Sequence, residues 1–222
     1  MKHNVMVGIA AAAFLVFCSM AMLGAAQGRG QQGQQGQQGQ QGQSGQQGQA
    51  GQVNAQEDQD TQSRVQAGLD YAKSQGITLD LTGKNRSLVA TGSYLVNAVG
   101  GCNDCHTAPP FTQDPFTALG APKQINVDCY LAGGTAFGPP GPGTPVSRDL
   151  TPFEDGRPAG LTLEQFIHVI RTGEDPDNPG QVLQVMPWPV YQAMTDRDLR
   201  AIYEYLSSIP AIAVNTCGVP SE

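Results

Sequence analysis

The sequence predicts an all-α domain with long irregular connections, and three observations carry that prediction. Apolar residues recur at helical spacing in three separate segments, 87–99, 163–171 and 196–208. The stretch from Pro109 to Pro158 between the first two is rich in Pro and Gly, which punctuate the chain into loops. Ahead of these lies a tract, residues 27–62, in which 17 Gln and 9 Gly fill most positions. That tract has too little apolar surface to offset its chain entropy. The remainder is long enough for one compact domain with its own core.

The N-terminus reads as an export signal over residues 1–26. Lys2 supplies the positive charge, Val5 to Leu23 the apolar run, and Gly24-Ala25-Ala26 a small-residue cleavage site. Two alternatives are an uncleaved membrane anchor and a lipoprotein carrying lipid on Cys18, against which bulky Phe17 argues. Each places the rest of the chain outside the cytoplasm, in the periplasm or an equivalent space where disulfides persist.

Residues 27–63 form the second unit, a disordered Gln/Gly linker. Gly recurs at every third position from Gly30 to Gly51, the period of a collagen triple helix, but no Pro accompanies it. A hydrated flexible tether is expected, with a multimerising stalk as the alternative. The third unit, 64–222, is the folded domain, expected as a monomer. A short helix is expected over Arg64 to Ser74. Ser87 to Val99 is the first amphipathic helix, with a stripe of Leu88, Val89, Leu95, Ala98 and Val99, and Gly92 marks close packing. Thr162 with Gln165 forms a capping box for the next helix, which Gly173 ends. Thr195 caps a helix from Asp196 to Ser208 with the stripe Leu199, Ile202, Tyr203 and Leu206, and Pro210 stops it.

Chemistry concentrates at Cys102-Asn103-Asp104-Cys105-His106, a C-x-x-C-H sequence. This is the attachment signature of c-type haem. Two thiols three positions apart reach the two vinyl groups on one porphyrin edge, and the adjacent His turns under the ring to ligate iron. A structural zinc site would need further Cys or His ligands. One motif implies one covalent haem c. For the opposite iron position, the candidates beyond residue 26 are Met186, Met194 and His168. Met186 stands in Val185-Met186-Pro187-Trp188-Pro189, where the prolines favour an extended loop that presents a thioether. Met194 adjoins a helix cap, and His168 shares the polar face of its helix with Glu164 and Arg171. Met186 is therefore the favoured ligand, with the other two left open.

The order of helix, motif, Pro-rich loops, helix, Met-Pro loop and C-terminal helix resembles the class I cytochromes c. Within that class the chain is similar to the haem domains in cytochrome subunits of periplasmic alcohol and sugar dehydrogenases. The matching pieces are Tyr94 to Asn97, Cys102 to Thr107, Leu131 to Gly134, Ser147 to Pro152, Met186 to Trp188, and Thr195-Asp196 through Tyr205-Leu206. The family more often has Asn at the position of Asp149, and those subunits commonly carry several haem motifs. The resemblance implies a class I cytochrome c fold, with His106 and Met186 as axial ligands. Arg148 and Trp188 are candidates for the haem-propionate environment.

Cys129 and Cys217 are the two cysteines left over in the exported chain, and the simplest expectation is a disulfide between them. Two free thiols or a bridge between chains are the alternatives. The expected function is single-electron transfer, not enzymatic catalysis, because an iron with both axial positions filled binds no substrate. The partners expected are redox proteins, a periplasmic dehydrogenase and a respiratory acceptor. Alternatives are a haem sensor or catalyst with a labile sixth ligand, and a multimerising surface protein. The net charge of −7 argues against nucleic-acid binding. A membrane contact is expected only through an uncleaved N-terminus. Residues 64–222 hold 10 basic and 16 acidic side chains, which suits a partner with a basic docking patch.

Overall fold

A computed structural model describes residues 38–113, 116, 119–120, 123–213 and 217, with side chains from Ala55 onward. The export segment expected at 1–26 and the first part of the Gln/Gly tract lie outside the described residues. The chain divides into two units, Met1–Gln47 and Gly48–Glu222. Of the first, residues 38–47 are described and are helical. Among the described residues the regular elements are all helical, and extended pairing is limited to isolated bridges such as Thr107 with Gly133. No helix among them is long and apolar enough to cross a membrane.

Helix α1 spans Gln38–Ser74, so it begins inside the tract expected to be coil rather than at Arg64. Gln is a competent helix former, and this propensity stands against a cost of about 1 kcal/mol for each interior Gly. The expected coil therefore does not extend over 38–63. The last turns of α1 deliver Tyr71 and Ala72 to the core. They cross α2, Arg86–Tyr94, at Gly68, where an added Cβ would stand 1.9 Å from Ala90 O. The Ser93 hydroxyl seals this crossing by donating to Gly68 O at 2.8 Å.

The Asn85 side chain caps α2 by accepting from Leu88 N, so the helix starts at Arg86, one residue before the expected Ser87. The helix continues as a π-turn, Leu95–Val99, closed by Gly100 N donating to Leu95 O at 2.7 Å. The wider turn shifts the phase of everything after it. On α2 the buried positions are Val89, Ala90, Gly92 and Ser93, and on the turn they are Val96 and Asn97. Of the expected stripe only Val89 is fully enclosed, and Val99 is 56% exposed.

Helices α4, Leu163–Thr172, and α6, Asp196–Leu206, match the sequence reading to within two residues. Both halves of the Thr162–Gln165 capping box are made, and Gly173 ends α4 at φ 71°. On α6, Leu199, Ala201, Ile202, Tyr205 and Leu206 are buried. Gly92 lets α2 lie directly on α6: a Cβ there would meet Ala201 O at 1.9 Å and Tyr205 Cβ at 2.7 Å. Tyr205 lies outside the expected stripe, yet it is wholly buried. Its hydroxyl lies 2.9 Å from that of Tyr130, which donates to Asn97 Oδ1 at 2.6 Å. Asn97 Nδ2 donates in turn to Ser93 O at 2.9 Å. This polar thread is almost fully satisfied, the condition under which buried polar groups are tolerated.

Cys129 and Cys217 are joined by a disulfide with a Cα–Cα distance of 5.5 Å. It fastens Cys217 beside Val127–Cys129, a 3-10 turn.

Candidate functional site

Helix α3, Cys102–His106, is a single turn that follows Gly101, whose φ of 61° suits a residue without Cβ. The turn is held from within. Asn103 is 1% exposed, and its Nδ2 donates to Pro110 O at 3.1 Å. Its Oδ1 accepts from the Thr107 hydroxyl at 2.8 Å, and Thr107 Oγ1 accepts from Leu131 N at 2.9 Å. Leu131 keeps a left-handed φ of 59°, which this bond helps to hold. Gly133 N then donates to His106 O at 2.7 Å. The Leu131–Gly134 loop is thereby docked along the back of α3.

Thr107→Val would strip both partners at once, leaving Asn103 Oδ1 and Leu131 N buried and unmatched. The expected loss is about 2–4 kcal/mol, measured as a lowered urea midpoint with unchanged slope. A midpoint within error of the parent would refute this role.

α3 forms one wall of an apolar cavity of ≈ 270 Å³. Cys102, Cys105 and His106 all line it, and so do Met186 and Met194. Leu95, Leu161, Phe166, Ile202 and Leu206 add apolar surface. Cys102 and Cys105 are free thiols. Burial pushes the Cys102 thiol up to about 12 and raises Cys105 as well. The His106 ring is oriented by Nδ1, which lies 2.7 Å from Arg148 O and therefore carries the proton. Nε2 is left as a lone-pair donor. Burial lowers the His106 pKa, partly opposed by the Arg148 carbonyl and the Asp149 charge, so the ring is held neutral. Two thiols, a neutral imidazole with Nδ1 engaged, thioethers and apolar walls fit an iron porphyrin joined through two cysteines.

The structure brings Met186 to the cavity, but its setting differs from the extended loop expected. Trp188–Tyr191 forms a short helical turn, α5, with Pro189 in its first turn, where a missing N–H costs nothing. Met194 lines the same cavity, so the two thioethers are not separated by access. His168 does not line it: its side chain is 55% exposed and its Nε2 lies 2.6 Å from Glu174 Oε2.

Arg148 lies at the cavity rim, with its guanidinium engaged. Its Nη2 donates to Ala159 O at 3.0 Å, and Nη1 pairs with Asp177. Its most direct bearing on the site is its backbone carbonyl, which orients His106, a role that side-chain chemistry in the sequence does not signal. Trp188, expected near the same edge, is not among the lining residues. Its indole lies on Gly173, where a Cβ would come within 2.3 Å of the ring. Tyr191 was not foreseen. It lines the cavity, and its hydroxyl donates to Gly100 O at 2.7 Å.

Over 136 residues, 54% of its length, the chain is 31% identical to the fructose dehydrogenase cytochrome subunit of Gluconobacter japonicus. It resembles cytochrome c subunits of sugar and alcohol dehydrogenases. The alcohol dehydrogenase (quinone) cytochrome c subunit of Gluconobacter oxydans is 29% identical over 130 residues, 56% of the chain. These alignments cover 28% and 24% of the relatives, so the chain spans about a quarter of the length of the proteins it matches. No family model matches the chain. The likeness to these cytochrome subunits agrees with the helical architecture and with the C-x-x-C-H turn on the cavity wall.

Proposed function

We propose that the chain is a single-electron carrier that would hold one covalent haem c through Cys102 and Cys105, with His106 and Met186 as the residues that would ligate its iron. The observation that carries this reading is the placement of both thiols, a neutral imidazole and a thioether on one apolar cavity. Bound there, the iron supplies reversible exchange of one electron between its ferrous and ferric states. Cys102 and Cys105 would anchor the ring edge as thioethers. His106 offers Nε2 while Arg148 O fixes the plane of its ring. Met186 would close the opposite position, and a thioether there favours a high potential. The apolar walls exclude water, which limits the reorganisation that accompanies a change of charge. Arg148 would be the basic side chain to meet a propionate, in exchange for its pairing with Asp177.

An iron held by both His106 and Met186 would leave no place for a substrate, so we read the chain as a carrier and not an enzyme. The relatives are cytochrome subunits of dehydrogenases, which supports a dehydrogenase as electron donor and a respiratory protein as acceptor. Docking is brief and through a small interface. The N-terminal segment exports the domain to the periplasm, and residues 27–63 act as its spacer, with the domain working as a monomer.

The test is the optical spectrum of the exported protein, with carbon monoxide added to the reduced form. The parent should show a ferric near-infrared sulfur-to-iron band and no carbon monoxide shift. Met186→Ala should abolish the band and open the iron, whereas Met194→Ala should keep the band. A parent that lacks the band and takes carbon monoxide readily would replace electron transfer with ligand sensing or catalysis.

A further inference from the structure

The stretch from Met186 to Met194 is internally closed. Trp188 N donates to Met186 O at 2.8 Å, Gln192 N to Trp188 O at 2.8 Å, and Met194 N to Tyr191 O at 2.9 Å. On one side it is fastened to the end of α4. The Trp188 indole sits on Gly173, and Arg171 Nη1 donates to Gln192 O. On the other side the Tyr191 hydroxyl reaches Gly100 O at 2.7 Å. Gly100 stands two residues before Cys102 and itself lines the cavity. The Tyr191 bond thus spans the two walls, from the stretch that carries both thioethers to the stretch that carries the thiols.

Two methionines line one cavity, on either side of Tyr191 in sequence. Exchanging one for the other opposite His106 would require α5 to slide past Gly100. We propose that the Tyr191 hydroxyl is the latch that prevents this, a positioning residue that keeps Met186 rather than Met194 facing His106. The inference rests on the reading of His106 and Met186 as iron ligands. The bond lies in a half-buried setting where water competes poorly for either partner, which strengthens it relative to a surface contact.

The experiment uses the full haem-loaded chain. Tyr191→Phe keeps the ring against the cavity and deletes only the hydroxyl. Imidazole is titrated into the ferric protein while the near-infrared sulfur-to-iron band is followed. The latch raises the cost of releasing Met186, so its loss should tighten apparent imidazole binding about three- to tenfold, the worth of one net hydrogen bond. Tyr203→Phe is the control, because it removes a comparable bond, from the Tyr203 hydroxyl to Leu161 O at 2.9 Å, away from α5. Tighter binding in Tyr191→Phe alone supports the latch. Unchanged affinity in Tyr191→Phe, or an equal rise in Tyr203→Phe, overturns it while leaving the ligand reading intact. A parent without the band, binding imidazole freely, overturns both.

Discussion

Gly92→Ala is expected to destabilise the domain by about 3 kcal/mol, near the upper end of overpacking effects. The obstacle is backbone, not a side chain that can rotate away. The new Cβ would fall 1.9 Å from Ala201 O, and relief requires α2 and α6 to separate along their shared length. Separation would also pull Tyr205 and Tyr130 from Asn97, leaving buried polar atoms without partners. A loss of this size is a large part of the net stability of an ordinary domain. The check is urea denaturation of the full chain beside Gly141→Ala. Gly141 has an ordinary φ and nothing within 4 Å of a built Cβ, so its Ala variant should stay within about 0.5 kcal/mol of the parent. Equal midpoints for the two variants would mean that α2 and α6 do not cross this closely.

The second large effect is expected from the Cys129–Cys217 disulfide. It joins residues 88 apart, so its removal restores much freedom to the unfolded chain. Loss of such a bridge costs about 2–5 kcal/mol. Ahead of Cys217 in sequence, Ile212 N donates to Thr151 Oγ1 at 3.3 Å, a weaker anchor than the bridge. Cys129→Ser with Cys217→Ser should lower the thermal midpoint by as much as a reductant lowers that of the parent. The double variant should then be indifferent to reductant. A parent whose midpoint ignores reductant would refute the role of the bridge.

What the sequence made legible, and what it did not, divides along a physical line. Thr162, Gln165, Gly173 and Thr195 are local signals, and α4 and α6 lie where those signals put them. The pairing of Cys129 with Cys217 is the simplest expectation for the two cysteines left over in the exported chain, and the structure forms it. Gly92 was readable as a close approach, though not the helix it approaches. The misreadings arise where distant contacts override local preference. Val96 and Asn97, three and four residues on from Ser93, continue a buried face of α2 that small Gly92 and Ser93 define rather than the larger Leu88 and Leu95. Asn97 and Tyr205 look like surface residues until Tyr130 arrives from a loop to satisfy them. At the site, the five-residue motif announces its own chemistry. The Arg148 carbonyl and the Tyr191 hydroxyl leave no trace in sequence, since every residue has a carbonyl and most tyrosines have other uses.

The two walls of the cavity differ in how they come into being. The wall bearing the thiols is a single turn, and much of its shape comes from Asn103 within it and from Gly101 and Thr107, which flank it. The facing wall is drawn from Met186 and the residues after it, and it is fixed by contacts to α4 and Gly100. Contacts between near neighbours in sequence cost less chain entropy than contacts between distant segments. The thiol-bearing turn is thus the cheaper of the two walls to shape, and the thioether-bearing wall is the one whose fastening spans most of the domain, as the separation of 91 residues between Gly100 and Tyr191 shows.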